Sequence, residues 1–129
     1  MKFSKPHSEF APVSMLQGWE LPDGYEPGCG VEQKILSGSL DEARGEGFRT
    51  RLLRFPPDFH TRAPFVHAYW EEVFLISGDL WVGSDAAGCG GERFGAHTYA
   101  CRPPGTPHGP FRSAGGCLLL EMHYYGSRA

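Results

Sequence analysis

Short runs of β-branched, aromatic and leucine side chains alternate with turn residues along most of the chain. Glycine, proline or aspartate separates the runs, at intervals typical of a sandwich or barrel. Residues 40–44 alone resemble a helix, and that stretch is too short to organise a fold. The pattern therefore predicts one all-β domain, with strands at 31–36, 48–55, 72–77, 80–83, 98–102 and 117–125.

Turns interrupt the first 30 residues more often than the rest of the chain. We expect residues 1–30 to form an irregular arm packed on a barrel made by residues 31–129. The apolar side chains that would pin this arm are Phe10, Val13, Leu16, Trp19 and Leu21. Farther along, Ser77-Gly78-Asp79 predicts a tight hairpin between two strands.

Composition and charge narrow the class of partner. Glycine and proline number 18 and 11, which suits a turn-rich β domain, and 13% aromatic residues are too many for a disordered chain. A net charge of −3 argues against nucleic acid and against anionic membranes as partners. No apolar run has the length of a signal peptide or a membrane span, so we expect a cytoplasmic protein.

The four cysteines carry no recognisable metal or disulfide pattern. Their wide spacing contains no C-x-x-C pair and matches no common zinc module. In a cytoplasmic protein we expect them to be reduced, structural thiols. They are Cys29, Cys89, Cys101 and Cys117.

The first stretch with candidate chemistry places a histidine and a glutamate on one face. Phe65, His67, Tyr69 and Glu71 are two residues apart, so on an extended chain their side chains point the same way. An imidazole and a carboxylate facing an apolar core are costly without a partner. A divalent metal is such a partner, because it accepts neutral imidazole nitrogen and carboxylate oxygen together. Strand parity favours Glu71, and Glu72 is the alternative if the strand is bulged.

The second stretch presents one histidine on a stiff turn. After the predicted strand at 98–102, Pro103, Pro104 and Pro107 preset the backbone angles ahead of His108. Little entropy is then lost in holding that imidazole in place. The arginines that flank this turn, Arg102 and Arg112, are expected at the surface, with an anionic substrate as the alternative partner.

The two stretches resemble the paired motifs of the cupin superfamily, G-x5-H-x-H-x3,4-E-x6-G and G-x5-P-x-G-x2-H-x3-N. His67, Glu71 and Gly78 match the end of the first motif. Pro103-x-Gly105-x2-His108 matches the second. The resemblance implies a small cupin, which is a double-stranded β-helix or RmlC-like jelly-roll barrel, with a divalent metal ion and a homodimeric assembly.

Residues 48–125 are most similar to conserved-barrel cupins of the ChrR type. The similarity lies in the Glu71-Glu72-Val73 run, in the Pro103-Pro104-Gly105 turn and in the stretch Arg54-Phe55-Pro56-Pro57-Asp58. As an indication of fold this resemblance is specific. As an indication of function it is weak, because cupins host many chemistries.

The chain departs from the cupin pattern at the first motif histidine, where Phe65 stands. The resemblance then implies three metal ligands, His67, Glu71 and His108, with a coordination position left open. His60 is a candidate additional ligand if residues 59–64 loop over the barrel mouth. The ion could be iron, zinc, nickel or manganese. In the second motif His97 takes the place of the first glycine and is expected in a turn.

Other side chains have two interpretations each. Phe65 is expected to form a pocket wall, and Tyr69 either hydrogen-bonds a ligand or lies in the core. In the last strand Leu118, Leu120 and Met122 form an apolar face that is predicted to be core. His123 is then expected on the opposite face, near the surface or a subunit contact.

The expected function is that of a metal-dependent enzyme, dioxygenase-like, that acts on a small organic molecule. The metal would stabilise a substrate enol or enolate as a Lewis acid. One alternative is a non-catalytic cupin of the ChrR type that senses zinc or a small molecule. A metal-free cupin resembling isomerases or epimerases is the other.

Overall fold

Two antiparallel sheets form the framework of the structure, a computed structural model that describes residues 5–16 and 18–126. One turn of 3₁₀ helix, Val13–Met15, precedes the strands. The strands within the described residues are β1 (Glu32–Asp41), β2 (Glu46–Phe55), β3 (Phe59–His60), β4 (Trp70–Gly78), β5 (Leu80–Val82), β6 (Glu92–Phe94), β7 (Thr98–Arg102), β8 (Phe111–Ser113) and β9 (Cys117–Tyr124). The all-β prediction is confirmed.

The larger sheet has the strand order β1-β2-β9-β4-β7, and the smaller has the order β3-β8-β5-β6. Neighbours that are distant in sequence, such as β2 with β9 and β4 with β9, give the jelly-roll arrangement of a cupin domain. Side chains alternate between buried and half-buried along β9 and over most of β4. The buried faces enclose an apolar core, formed by Val31, Leu53, Phe55, Val73, Leu75, Leu80, Phe111, Cys117 and Leu119.

Residues 40–44, whose sequence resembles a helix, instead end one strand and turn into the next. Leu40 and Asp41 are the last residues of β1, and β2 begins at Glu46. The amide of Arg44 donates to Asp41 Oδ1 at 3.1 Å, which closes a side-chain-supported turn.

Ser77-Gly78-Asp79 is a corner between the two sheets and not the expected hairpin. β4 lies in the larger sheet and β5 in the smaller one. Gly78 has φ +89°, and a Cβ there would lie 2.1 Å from the carbonyl oxygen of Gly116. The Asp79 carboxylate accepts hydrogen bonds from the amides of Ala114 and Gly115 at 2.9 and 2.8 Å. These contacts direct the chain across the sheets.

The N-terminal segment contacts β1 and β2 through polar groups and one tryptophan. Lys5 Nζ donates to Thr50 Oγ1 at 2.6 Å, and Lys34 Nζ donates to the Val13 carbonyl at 2.9 Å. The Trp19 ring lies 3.9 Å from the Arg54 guanidinium carbon. Three apolar side chains expected to pin the arm are instead exposed, namely Phe10, Val13 and Leu21. The division of the chain at residue 30 stays a prediction.

Two further findings concern the described residues as a whole. All four cysteines are unpaired. A helix able to cross a membrane is not found within 5–16 and 18–126.

Candidate metal centre

A cavity of about 400 Å³ lies between the two sheets. Its walls combine apolar side chains with a group of charged ones, which is the composition expected of a small-molecule site. The aromatic and aliphatic part consists of Tyr25, Leu53, Phe55, Phe65, Tyr69, Val73, Leu75, Leu80, Val82, Phe94, Ala100, Phe111 and Leu119. The titratable part consists of Asp23, Glu42, Arg49, Arg51, His67, Glu71, Tyr99, Arg102, His108 and Glu121.

The segment before β4 reaches the cavity although it is not a regular strand. The amide of Phe65 donates to the His108 carbonyl at 2.7 Å, and the amide of His108 donates back to Phe65 at 2.9 Å. The amide of Gly105 donates to the His67 carbonyl at 2.8 Å. These bonds keep the segment extended, so Phe65, His67, Tyr69 and Glu71 all line the cavity as their spacing predicts.

The structure brings His67, Glu71 and His108 together. Nε2 of His108 lies 3.5 Å from Oε1 of Glu71, and Nε2 of His67 lies 3.9 Å from Oε2. The donor atoms of all three residues lie within 4.8 Å of one another. Metal–ligand bonds of about 2.0–2.2 Å at tetrahedral angles place ligand atoms about 3.3–3.6 Å apart. The donor set and its spacing therefore fit a divalent ion after a small adjustment of His67.

The hydrogen bond made by Nδ1 of His108 supports this fit. Nδ1 lies 3.3 Å from the carbonyl oxygen of Thr106, and a carbonyl can only accept. In the neutral ring Nδ1 is then the donor, so Nε2 carries a lone pair. A lone pair and a carboxylate oxygen thus face each other at 3.5 Å. This arrangement is repulsive unless a cation or a proton lies between them.

Glu71 is oriented by two further donors. Arg102 Nη1 donates to Oε1 at 3.0 Å, and His123 Nε2 lies 2.9 Å from Oε2. Arg49 Nε and Nη2 approach Nδ1 of His123 at 3.1 and 2.9 Å. A guanidinium can only donate, so Nδ1 of His123 accepts and its Nε2–H donates to Glu71. Such outer contacts fix the position of a ligating carboxylate.

The expectation for β9 is therefore wrong. His123 is 1% exposed and lies inside the barrel, whereas Leu118, Leu120 and Met122 lie on the outer face. The cause is the pairing with β2, which sets Arg49 beside His123 and Arg51 beside Glu121. These pairs allow polar groups to be buried with partners, which the sequence of β9 alone does not reveal.

Arg51 and Glu121 form a second buried pair in the same interior. Arg51 Nε and Nη2 lie 2.8 and 2.7 Å from Glu121 Oε1. Its Nη1 donates to Gln33 Oε1 at 2.7 Å. Glu121, Glu71 and His123 also have ligand-type atoms within 4.8 Å of one another, but both ring nitrogens of His123 already form hydrogen bonds, with Arg49 and with Glu71, so this group does not offer an imidazole lone pair to an ion.

Burial keeps His67 and His123 neutral. Desolvation lowers the pKa of His67 to about 4, and it lowers the pKa of His123 to about 3. Nearby carboxylates act in the opposite direction and do not overcome it. At neutral pH these imidazoles are uncharged, which is the protonation state that a metal ligand requires.

Of the other residues predicted at the site, Tyr69 lies beside the cluster, whereas Glu72 and His60 do not. Tyr69 is buried, with its ring stacked on His67 at 4.5 Å between centroids. Glu72 points to the outer face, where it accepts hydrogen bonds from Tyr99 and Tyr124. The structure does not bring His60 to the site. Its ring lies against Gly88, in a separate groove beside β8.

Sequence reasoning missed the arginines of this interior as well as Glu121 and His123. Arg102 was expected at the surface, yet its side chain is 15% exposed and lines the cavity. Arg112 does lie outside, over the Trp81 ring at 3.7 Å. The available signal was that charged or polar residues occupy alternate positions on both strands, Arg49 and Arg51 on β2 and Glu121 and His123 on β9. These residues can be recognised as partners only when β2 and β9 are known to pair, and the paired residues lie more than 60 positions apart in the sequence. Contacts at that separation leave no local signal in the sequence.

No protein-family profile matches the sequence, and no curated protein matches it significantly. Solved structures do match. An RmlC-like cupin from Shewanella frigidimarina NCIMB 400 shares 16% identity at a TM-score of 0.66, with 98% of this chain and 97% of that one covered. A proposed acetylacetone dioxygenase from Methylibium petroleiphilum PM1 shares 23% identity at a TM-score of 0.64, with 98% and 82% covered.

The third similar structure is the complex of SigE with the anti-sigma factor ChrR from Rhodobacter sphaeroides. It shares 22% identity at a TM-score of 0.56, and the match covers 81% of this chain and 46% of that one. At these identities the likeness shows the fold. Together with the two antiparallel sheets it confirms the expectation raised by the two motifs, and the chain has the fold of the RmlC-like cupins.

Proposed function

We propose that the chain is a metal-dependent enzyme that acts on a small organic molecule in a dioxygenase-like reaction. His67, Glu71 and His108 would bind the divalent ion. The observation that carries this proposal is the convergence of two imidazoles and one carboxylate, whose ligand-type atoms lie within 4.8 Å of one another, with His108 Nε2 3.5 Å from Glu71 Oε1. Two imidazoles and a carboxylate are a donor set that a divalent ion accepts.

The cavity around these residues supports a small-molecule substrate. Its volume of about 400 Å³ lies within the usual range for ligand sites. Phe65, which replaces the first motif histidine, lines the cavity beside His108, with a ring-centroid distance of 6.0 Å. The loss of that histidine leaves room beside the ion for a substrate oxygen.

The residues around the ligands have separable tasks. A divalent metal would supply Lewis-acid stabilisation of an enolate and, if redox-active, reactivity toward dioxygen. Tyr69 stacks on the His67 ring and restricts its rotation. Arg102 and His123 hold the Glu71 carboxylate in one orientation. The aromatic wall excludes water from the reacting groups, which strengthens every electrostatic contact there.

The solved structures with a similar fold agree with a dioxygenase-like reaction and also with one alternative function. The proposed acetylacetone dioxygenase has the same fold, and it supports the dioxygenase-like reaction for this chain. The likeness to the complex of SigE with the anti-sigma factor ChrR supports the alternative, a non-catalytic cupin of the ChrR type that senses zinc or a small molecule. A fold hosts several activities, so the site chemistry must decide between them.

A metal-free cupin is the third candidate, and one observation favours it. Both Glu71 oxygens already accept a hydrogen bond within the chain, from Arg102 and from His123. A carboxylate satisfied in this way needs no ion. The expected homodimer and the ion's identity stay predictions.

Metal analysis of protein purified without a histidine tag tests the proposal. We expect about one divalent ion per chain by plasma mass spectrometry, and its loss in His108→Ala. His60→Ala is the matched control, because this histidine lies outside the cavity lining. Iron together with oxygen consumption in the presence of acetylacetone or related enolisable compounds supports the enzyme.

The remaining outcomes each contradict part of the proposal. One zinc ion per chain without turnover favours the sensor. Full metal occupancy in His108→Ala overturns the ligand assignment. No metal after incubation of purified protein with Fe(II), Zn(II), Ni(II) and Mn(II) in turn favours the metal-free cupin.

A further inference from the structure

We propose that the substrate is a small organic acid with an apolar body, and that Arg49 binds its carboxylate. This inference rests on the proposed function, since it names the class of molecule that enters the same cavity. It depends on the balance of charged groups in the barrel interior and on the contacts of Arg49.

The interior holds more guanidinium groups than carboxylates to pair with them. Arg51 is paired with Glu121 at 2.7 Å, and Arg102 is paired with Glu71 at 3.0 Å. Arg49 is the third arginine that lines the cavity, and among the described residues it has no carboxylate oxygen within 4.0 Å. Of the three arginines that line the cavity, half-buried Arg49 is thus the one that the two buried carboxylates, Glu71 and Glu121, leave without an ion pair among the described residues.

The hydrogen bonds of Arg49 leave much of its donor capacity unused. Both of its contacts, from Nε at 3.1 Å and from Nη2 at 2.9 Å, go to the same acceptor, Nδ1 of His123. A guanidinium has five N–H groups, so three remain for a ligand. A carboxylate is the ligand that matches a guanidinium fork best, because two parallel hydrogen bonds form at once.

Two acidic residues at the cavity do not supply the missing charge. Asp23 and Glu42 line it, but both are exposed to solvent. Water screens their effect on Arg49, and neither forms an ion pair with it. Desolvation, together with the neighbouring charge of Arg51, lowers the pKa of Arg49, although Glu121 and Glu42 act in the opposite direction.

A divalent ion held by Glu71 would strengthen the preference for an anion, because it would add two positive charges to the cavity. Arg49 is separated from Glu71 by one imidazole ring, that of His123. A short molecule can therefore present one oxygen to the metal and a carboxylate to Arg49. Its remaining surface would contact the apolar wall, of which Phe55, Phe65 and Leu119 are part.

Matched pairs of acids and amides test this inference by isothermal titration calorimetry. The probes are acetate with acetamide, hexanoate with hexanamide, and phenylacetate with phenylacetamide. In chelator-treated protein we expect at least one acid to bind about tenfold or more tightly than its amide, as a charge-assisted pair of hydrogen bonds provides. The preference should disappear in Arg49→Met and persist in part in Arg49→Lys.

Arg112→Met is the matched control, because Arg112 stacks on Trp81 outside the cavity lining and should leave the preference unchanged. Equal binding of acid and amide in the wild-type protein overturns the inference, and so does the absence of detectable acid binding at 10 mM. A preference that survives in folded Arg49→Met also overturns it. If Arg49→Met does not fold, the comparison of wild type with Arg49→Lys decides.

The metal content of the same preparations separates the two proposals. An acid preference in protein that binds no metal supports the role of Arg49 and contradicts the metal-dependent enzyme. One ion per chain without an acid preference supports the metal centre and contradicts the substrate class.

Discussion

Replacing Arg51 by methionine tests how much the buried pair with Glu121 contributes to stability. The side chains of Arg51 and Glu121 are 9% and 7% exposed. Burial disfavours the charge on Arg51, but Glu121 more than offsets it and raises the pKa of the guanidinium. Arg51→Met leaves the Glu121 carboxylate buried without its partner, and Gln33 loses a donor at 2.7 Å.

The expected loss follows from these contacts. Breaking a buried ion pair from one side costs about 3–5 kcal/mol. With a urea m-value of about 2 kcal/mol per molar, the midpoint of unfolding should fall by about 1.5–2.5 M. Because the free energy of unfolding of small domains is only about 5–15 kcal/mol, the variant should still fold but keep little stability.

A double-mutant cycle in urea, followed by circular dichroism, distinguishes the pair from general packing. Arg51→Met/Glu121→Met removes both charges and should recover all but about 1–2 kcal/mol, since no unpaired charge remains. Arg51→Lys keeps the charge and should cost less than Arg51→Met. The reasoning is refuted if the single change costs under about 1 kcal/mol, or if the double variant loses the sum of the two single losses.

Two further changes test the corner between the sheets. Asp79→Asn should cost about 1–3 kcal/mol at neutral pH, because one of two amide donors then faces an NH₂ group. Although desolvation opposes it, the Ala114 and Gly115 amides keep the pKa of Asp79 below its usual value. The stability that the Asp79 carboxylate contributes is therefore fully present above the usual pKa of an aspartate, and it is lost as the pH falls through the lowered pKa of Asp79. Urea midpoints of wild type and Asp79→Asn should converge as the pH falls below the lowered pKa of Asp79, and a constant difference at all pH values would contradict this. Gly78→Ala should cost about 1–3 kcal/mol more than Gly83→Ala, since both have positive φ but only Gly78 has a backbone oxygen in the way. Equal urea midpoints for the two alanine variants would exclude that clash.

Six of the nine strands in the described residues and the three clustered residues were predictable because their determinants are local, whereas the short strands β3, β6 and β8 were not predicted. Alternation before Glu71 places its side chain on the same side as His67, and the proline turn fixes His108 within a few residues. That parity survives even though the regular strand begins only at Trp70, since bonds between Phe65 and His108 keep the segment extended. The motif comparison then indicated the cupin fold.

The inner face of β9 could not be predicted in this way. Leu118, Leu120 and Met122 form the more apolar face, and burying them costs less than burying Glu121 and His123 when the strand is considered alone. The barrel reverses this preference, because β2 brings Arg51 to Glu121 and Arg49 to His123. The same pairing sets Arg49 beside His123, and within residues 5–16 and 18–126 no carboxylate forms an ion pair with Arg49.

The sequence by itself determined an all-β chain and the local placement of His67, Glu71 and His108, because both depend on spacing and on preset turns. Only the tertiary structure decided which further charges surround Glu71 and which face of β9 is inside. Those features arise from strands paired across the barrel, where a polar group can be buried once another strand supplies its partner.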